Sequence, residues 1–372
     1  MKVLIVSATF YPQNSPRSFR TTELSKELAR QGHEVKVYIP DVQHDYSELK
    51  ENFPALEVCQ TKELTWKDIK LHGSGLKYWI RRIFRRIFVQ FFEYPAIQWY
   101  LKMPHILKNE REYDLLISIA VPHPIHWGIA RCFMKGMNLS KIWVADCGDP
   151  YMGCKTLSYK PPFYFARFEK LFCRRANYIT IPIETAKEGY YPEFRDKMRV
   201  IPQAFNFDEI KICVPYIPNE IITFAYAGTF VQGERDPEPV LEYLSKSNSD
   251  FRFVVYTRQR SLFDKYVPVL GDKLVLKNYI PRTELLYEMS KMDFLLNLEY
   301  GTTVQRPSKL IDYALIQRPI LSIYSQQLDI DKLNKFLHRD YSQQFNIENI
   351  EDFKIKNAAK KFIDLAACHK NG

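Results

Sequence analysis

The chain has 372 residues, of which 46% are apolar and 26% charged, a composition typical of a globular protein long enough for two separate cores. Its formal net charge of +10 favours anionic partners such as nucleotides or phospholipid surfaces. Seven cysteines without a C-x-x-C pair argue against a disulfide framework or zinc site, and no window approaches about 20 uninterrupted apolar residues, so we expect a cytoplasmic protein without a transmembrane helix.

The first half of the chain alternates predicted strands with predicted helices. Apolar or alternating runs predict strands at 3–6, 34–39, 114–120, 141–145, 178–181 and 199–202. Capping residues and periodicity predict helices at 15–31, 124–134 and 167–176. The opening run is too short for a signal peptide, so we interpret it as the first strand. Residues 1–203 are therefore expected to form one Rossmann-like domain, followed by a linker at 204–218.

A basic, aromatic segment interrupts this first half at 77–106. On a helix, the stretch KYWIRRIFRRIFVQFF at 77–92 places its isoleucines and phenylalanines on one face and its arginines on the opposite face. That arrangement is typical of a helix lying in a membrane interface, with its arginines at anionic headgroups. The residues expected to contact the membrane are Trp79, Arg81, Arg82, Arg85, Arg86 and Phe88. A core helix with a basic outer face is the alternative, and a nucleic-acid site would lack any accompanying motif.

The second half of the chain repeats the alternation. Strands are predicted at 223–227, 251–256, 274–276 and 294–298, and helices at 238–245 and 283–289. We expect a second Rossmann-like domain at 219–348, and an amphipathic C-terminal helix within 349–372 that crosses back to the first domain. Two such domains in one chain predict an α/β protein whose halves face a central cleft.

The segment at 297–322 reads as strand, loop, helix start, short helix and strand. A helix start offers free backbone N–H groups and a positive dipole, so Ser308 and Lys309 there suit a diphosphate. Asp312, one turn further on, can accept hydrogen bonds from ribose hydroxyls. Arg235 lies in a Gly-Glu-Arg-Asp-Pro turn and would clamp phosphates with its planar fork. The alternatives are a solvated Lys309–Asp312 pair on a surface helix and an ordinary loop arginine.

Short motifs follow one another in a fixed order along both halves. They are Gly32-His33-Glu34-Val35, Asp146-Cys147-Gly148-Asp149, Glu169 with Arg174-Arg175, VIPQA at 200–204, Tyr226-Ala227-Gly228, and PSKLIDY at 307–313. This order resembles the retaining GT-B glycosyltransferases of glycosyltransferase family 4, of the type that acts in bacterial polysaccharide and lipopolysaccharide biosynthesis. The chain departs from that pattern where NSPRS at 14–18 replaces a glycine pair. It also keeps only the second acid of the Glu-x7-Glu motif, as Asp312, because Val304 stands at the first position.

The resemblance implies further donor contacts, with Tyr279 and Ile280 presenting backbone groups to the base. The donor-binding residues then expected are Gly228, Thr229, Arg235, Tyr279, Ile280, Ser308, Lys309 and Asp312. The resemblance also implies a first-domain histidine near the sugar or a donor phosphate, and this histidine is either His123 or His126.

The acceptor side is expected in the first domain. Asn14, Arg17 and Arg20 lie around the start of the first helix, where arginines can hold an acceptor phosphate, although a plain surface helix is the alternative. Asp149 is expected to orient the acceptor or the sugar. The catalytic set would accordingly be His123, His126, Asp149, Lys309 and Arg235.

The predicted reaction is transfer of a sugar, with retention, from a nucleoside-diphosphate donor to a lipid-linked or glycan acceptor in cell-surface polysaccharide assembly. Lys309 and Arg235 would neutralise the leaving diphosphate, so we expect neither a metal nor a cofactor. We interpret the string at 329–331, DID, as a helix cap rather than a metal motif. The protein would be peripheral at the inner face of the membrane, without a nucleic-acid partner.

Two alternatives stay open at this point. A nucleotide-sugar epimerase of the same fold would need no sugar acceptor. A non-catalytic subunit of a polysaccharide-assembly complex would explain why the first acid of the family motif is missing.

Overall fold

The computed structural model describes residues 1–72, 74–154, 160–299, 309–347 and 349–367; for Lys309 it describes the backbone only. The chain divides into two compact units. The first comprises Met1–Phe205 and Asp352–Gly372, and the second comprises Asn206–Glu351. Each unit is built on a parallel sheet, as the alternation of strands and helices predicted.

The first unit contains a seven-stranded parallel sheet in the order β3-β2-β1-β4-β5-β6-β7. Its strands are β1 (Lys2–Ser7), β2 (Glu34–Pro40), β3 (Leu56–Thr61), β4 (Tyr113–Ile119), β5 (Ser140–Asp146), β6 (Tyr178–Ile181) and β7 (Met198–Val200). The central strand β1 is an unbroken apolar run because both faces of a parallel sheet are covered, and Val3 to Val6 are fully buried.

In the described part of the chain, the helices between the first and last strands of this sheet are α1 (Pro16–Arg30), α2 (Ser47–Asn52), α3 (Leu76–Phe92), α4 (Gln98–Ile106), α5 (Pro124–Met134) and α6 (Phe165–Arg175). The predicted start of α1 is confirmed, since the Ser15 side chain accepts a hydrogen bond from the Ser18 N–H and Pro16 is the first helical residue. Gly32 follows the helix with φ +80°, the left-handed conformation that favours glycine.

The basic segment predicted at 77–106 is two helices with different surroundings. No residue of α3 is buried, whereas Trp99 and Met103 of α4 lie in the core of the first unit. The membrane contact predicted for 77–92 therefore falls on α3 alone, and α4 is part of the core. Along α3, from Leu76 to Phe92, the large apolar side chains are exposed. Among the described residues, no helix is long and apolar enough to cross a membrane.

The second unit contains a five-stranded parallel sheet in the order β10-β9-β8-β11-β12. Its strands are β8 (Ile222–Ala227), β9 (Phe251–Tyr256), β10 (Leu274–Lys277), β11 (Phe294–Leu298) and β12 (Ile320–Ile323). Its helices are α7 (Glu238–Lys246), α8 (Val267–Leu270), α9 (Arg282–Met289), α10 (Lys309–Ile316) and α11 (Ile330–Leu337). Three stacked rings fix its middle: Phe224 lies 4.6 Å from Phe253 and 4.5 Å from Phe294, so each central strand contributes one ring.

The last helix, α12 (Ile355–Ala367), belongs to the first unit. Its apolar side chains Ala358 and Phe362 share a core with Leu24 and Leu28 of α1. Two backbone hydrogen bonds to Phe205 hold the segment that precedes α12. The Phe205 N–H donates to the Phe353 carbonyl at 2.9 Å, and the Phe205 carbonyl accepts from the Ile355 N–H at the same distance.

Candidate functional site

In the second unit, the order of the strands defines where a ligand is expected. The strand β8 lies between β9 and β11, so the connections from its two sides leave in opposite directions and open a crevice at the carboxyl ends. Gly228 follows β8 at this edge with φ +136°, a backbone conformation open only to glycine, and Thr229 beside it is exposed. Arg235 closes the same loop through a backbone hydrogen bond with Val231 of 3.2 Å.

The helix α10 is attached to this edge by Tyr313. The Tyr313 hydroxyl is buried, donates to the Leu296 carbonyl at 3.1 Å and accepts from the Ala227 N–H at 3.4 Å. One side chain thereby joins α10 to the ends of β8 and β11. The described part of this helix runs from Lys309, and Ser308 lies outside the described residues together with the side chain of Lys309, so the predicted helix start at 307–309 stays a prediction.

Asp312 lies in the first turn of α10 and forms an ion pair that the sequence did not predict. The Nε and a terminal nitrogen of Arg282 both donate to the same Asp312 oxygen, Oδ1, at 3.1 and 2.5 Å. Within the described residues, no hydrogen bond is made to Oδ2. Burial raises the pKa of Asp312, and the charge of Arg282 opposes that rise. Asp312 therefore offers one oxygen to a ligand while Arg282 holds the other.

Tyr279 lies after β10 at the same edge and is 53% exposed. The guanidinium of Arg258, which follows β9, lies 4.7 Å from its ring centroid. The sequence predicted a backbone role for Tyr279 and Ile280 and gave no signal for Arg258, because the two residues become neighbours only through the pairing of β9 with β10.

In the first unit, Asp146 at the end of β5 organises a buried polar cluster. Arg20 donates to both Asp146 oxygens at 3.1 and 2.9 Å, and the Thr180 hydroxyl donates at 2.7 Å. Burial alone would raise the pKa of Asp146, but the Arg20 guanidinium holds it below its usual range. The remaining Arg20 donors bind the carbonyls of Ile201 and Pro202. The acceptor role predicted for Arg20 needs correction, because this side chain is 2% exposed and joins α1 to β5 and β7.

Asn14 and Arg17 lie before and within the first turn of α1, and their predicted contact with an acceptor stays a prediction. Asn14 is exposed, and the Arg17 side chain is 23% exposed with its guanidinium 3.6 Å from Asp146. Arg17 lies directly against Gly148: a Cβ at position 148 would stand 1.6 Å from an Arg17 terminal nitrogen. The glycine in the Asp-Cys-Gly-Asp motif thus makes room for an arginine from α1.

The structure separates the two histidines that the sequence left as alternatives. His126 is fully buried, with Nδ1 2.7 Å from the Ser118 hydroxyl and Nε2 3.4 Å from the Cys147 thiol. His123 is 6% exposed, and its Nδ1 has no hydrogen-bond partner among the described residues. Burial and the charge of Arg17 lower the pKa of His123 to about 3, so its imidazole is neutral. His123 is the better candidate for ligand contact, and His126 is part of the core.

The loop that follows β5 carries Asp149 and is fixed by Tyr151. The Tyr151 N–H donates to Glu169 Oε1 at 3.2 Å, and its hydroxyl donates to Glu93 Oε1 at 2.7 Å. Its ring lies 5.0 Å from that of His123. Glu169 is fully buried, and burial raises its pKa to about 7. Asp149 itself is partly exposed.

Helix α3 presents an apolar face of large exposed side chains: Leu76, Trp79, Ile80, Ile83, Phe84, Ile87, Phe88, Phe91 and Phe92. The arginines of this helix differ in their surroundings. Arg85 forms an ion pair with Asp68 at 2.7 Å, Arg81 donates to the His72 carbonyl at 3.2 Å, and Arg82 lies over the Trp79 ring. Arg86 is exposed.

Over the described ranges, no group of three or more histidine, cysteine or carboxylate side chains is arranged to hold a metal ion. The string at 329–331 serves the structural purpose that we predicted. Asp329 is the N-cap of α11, where its side chain accepts from the Lys332 N–H at 2.9 Å.

No protein-family model and no curated protein matches this chain. Solved structures do match over its length. Sucrose-phosphate synthase from Thermosynechococcus elongatus is similar with a TM-score of 0.65 and 10% identity, over 100% of this chain and 99% of that chain. Anabaena HepE in complex with UDP-glucose is similar with a TM-score of 0.60 and 8% identity, over 99% of this chain and 100% of that chain. The lipopolysaccharide outer core galactosyltransferase WaaB is similar with a TM-score of 0.59 and 12% identity, over 100% of both chains.

At these identities the likeness concerns the fold. Two parallel α/β sheets in one chain, matched along their whole length by glycosyltransferase structures, define the GT-B fold. The fold class predicted from the order of motifs is therefore confirmed.

Proposed function

We propose that this chain is a retaining glycosyltransferase that uses a nucleoside-diphosphate sugar as donor. The observation that carries this proposal is the edge of the second sheet, where Tyr313 of α10 binds the ends of β8 and β11, Gly228 follows β8, and Asp312 pairs with Arg282. Arg235 lies in the loop after Gly228. Free N–H groups at a helix start suit a diphosphate, and a carboxylate with one uncommitted oxygen suits ribose hydroxyls. The fold adds support, because HepE, which shares it, was solved with UDP-glucose.

The chemistry assigned to this site is a displacement at the anomeric carbon. The bond from that carbon to the diphosphate breaks, the acceptor oxygen bonds to the same face of the sugar, and the acceptor proton passes to a diphosphate oxygen. Lys309 and Arg235 would stabilise the charge that develops on the leaving group, with no metal required. Neutral His123 and Asp149 would bind sugar or acceptor hydroxyls in the first unit.

The proposed acceptor is a lipid-linked sugar or glycan of cell-surface polysaccharide assembly, reached from the inner face of the membrane. The exposed apolar face of α3 supports this, since a soluble helix normally buries such a face. Arginines beside that face complement anionic lipid headgroups. WaaB, a similar structure, acts on lipopolysaccharide outer core by its description.

A thermal-shift screen against UDP, GDP, ADP, CMP and their sugars tests the donor assignment. One nucleotide is expected to raise the melting temperature in a concentration-dependent manner, because a ligand that binds only the folded state stabilises it by mass action. Slow hydrolysis of the matching sugar donor without an acceptor would then mark a transferase. If none of the nucleotides or their sugars changes the melting temperature, the proposal is refuted.

A further inference from the structure

Helix α3 is held by its C-terminal end. Glu93, the residue after the helix, adopts φ +53° and turns its side chain inward, where it accepts a hydrogen bond from the Tyr151 hydroxyl at 2.7 Å. The Tyr164 hydroxyl donates to the Phe91 carbonyl at the same helix end. Both tyrosines belong to the β5–α6 connection, the loop that carries Asp149. The exposed helix and the candidate acceptor site are thus joined directly.

Tyr151 makes this junction stiff on the side of the site. It is 6% exposed, and its ring packs edge-on against Trp127 at 5.3 Å and lies 5.0 Å from His123. Its backbone N–H is bound by the buried carboxyl group of Glu169. A displacement of the Tyr151 hydroxyl therefore moves a ring that touches His123 and a backbone two residues from Asp149.

A second apolar group lies beside the same helix end. Phe163 is 85% exposed and stacks edge-on with Tyr164, whose hydroxyl binds α3. An exposed phenylalanine next to an exposed amphipathic helix extends the apolar surface from α3 onto the β5–α6 connection.

We propose that Phe163 joins α3 in contacting an anionic bilayer, and that the Tyr151–Glu93 hydrogen bond couples this contact to the loop at 147–152. This inference rests on the membrane contact in the proposed function. It adds that this contact regulates the loop that carries Asp149. With no buried residue of its own, α3 is weakly restrained in solution. A bilayer that buries its apolar face restrains it, and the hydrogen bond passes that restraint to the loop. Linkage requires the converse, so a ligand that orders the loop strengthens bilayer binding by the same factor.

Hydrogen–deuterium exchange of the full chain, with and without vesicles of equal parts phosphatidylglycerol and phosphatidylcholine, tests the coupling. In the wild type, amides at 147–152 are expected to exchange about three- to tenfold more slowly on vesicles, the scale of one hydrogen bond. Tyr151→Phe should abolish this protection while still sedimenting with vesicles. Glu93→Gln, which keeps an oxygen to accept the bond, should retain the protection, and Glu93→Ala should lose it.

Tyr94→Phe is the matched control. The Tyr94 hydroxyl also fastens the end of α3, but to the Lys67 carbonyl at 2.9 Å rather than to the loop. This variant should keep the protection. Equal protection in Tyr151→Phe and wild type, or none in a wild type that sediments, would overturn the coupling. A wild type that stays off vesicles yet is stabilised by a nucleotide would overturn it and the membrane contact together, leaving the donor assignment standing.

Phe163→Ser measures the second contact. It should weaken binding to the same vesicles several-fold, by removing one exposed aromatic side chain from the surface. Unchanged binding would remove Phe163 from the proposed surface.

Discussion

Arg282 and Asp312 meet across 30 residues of sequence, with both Arg282 donors on one carboxylate oxygen. Arg282 is the first residue of α9, where a cation opposes the helix dipole. The ion pair with Asp312 explains why an arginine stands at this position. By binding Oδ1, Arg282 also fixes the orientation of the Asp312 carboxylate, and therefore of its second oxygen, at the edge of the sheet.

Arg282→Ala should lower the free energy of unfolding by about 1–2 kcal/mol near neutral pH, because it leaves a half-buried carboxylate without its counter-charge. Burial raises the folded-state pKa of Asp312 above its unfolded value of about 3.9. Removing the Arg282 charge raises that folded-state pKa further, so the deficit should be small at low pH, where both proteins hold a protonated Asp312, and grow as the pH rises past the folded-state pKa of the wild type. Urea melts of variant and wild type at several pH values measure this, and a deficit independent of pH would argue against the ion pair as its cause.

Lys309→Ala and Asp312→Asn should each weaken nucleoside-diphosphate binding by roughly 1.5–3 kcal/mol, the scale of a charge-assisted hydrogen bond. Calorimetric titration with the nucleotide found in the thermal screen gives the affinities. Lys246→Ala is the control, since it breaks only the surface pair with Glu242 in the same unit. Unchanged affinity in both site variants would move the donor away from α10.

Donor turnover should survive EDTA, because Lys309 and Arg235 are proposed to carry the charge compensation. Rates measured before and after chelation should agree within about twofold, since no metal contribution to the barrier is lost. Complete loss with EDTA, restored by Mn²⁺ or Mg²⁺, would contradict the proposal.

Arg86→Gln should weaken binding to anionic vesicles about fivefold, because one basic side chain near such a surface contributes about 1 kcal/mol. Arg85→Gln should have a smaller effect, since Asp68 already offsets its charge at 2.7 Å. Sedimentation with vesicles at low salt compares the two variants. A variant with Glu in place of all four arginines of α3 should no longer bind anionic vesicles but should still bind the nucleotide. The four replaced residues are Arg81, Arg82, Arg85 and Arg86. Equal effects of the two glutamines would show that the ion pair opens on the bilayer.

Glu169→Gln should raise the free energy of unfolding at pH 8 by about 3 kcal/mol at most, because burial raises the folded-state pKa of Glu169 to about 7. The sign follows from linkage: a raised carboxyl pKa favours the folded state at low pH and costs stability as the pH rises from about 4.3 to 7. The gain should vanish near pH 4, where both forms are neutral. Thermal melts across this range decide the question, and a destabilised variant at pH 8 would show that the folded-state pKa of Glu169 is not raised.

The sequence predicted what local patterns control. The Ser15 cap, the apolar β1 and the Asp329 cap all depend on neighbours in sequence, and the structure has them as expected. Periodicity predicted the helix at 77–92, but it could not show that the aromatic side chains of α3 are exposed while Trp99 of α4 is buried, because tertiary packing decides this.

The site was less accessible from sequence, because its contacts join distant elements. Arg20 resembled a ligand-binding arginine until its partner, Asp146, proved to lie 126 positions away. Arg258, Arg282 and Tyr151 gave no signal, since each acquires its role from a neighbouring strand or loop. The choice between His123 and His126 required knowing which ring nitrogens were already bound.

The place of α12 bears on how the chain is made. The first sheet is complete at Val200, but one face of its core includes Phe362, which leaves the ribosome some 160 residues later. Until α12 has been synthesised, Leu24 and Leu28 lack the apolar side chains of that helix that share their core. The described strands of the second unit all lie between Ile222 and Ile323, so the five-stranded sheet that they form takes no strand from either terminus. During synthesis, the unit that begins first should therefore mature last, and a chain cut short before Ile355 should leave a folded second unit beside an aggregation-prone first one.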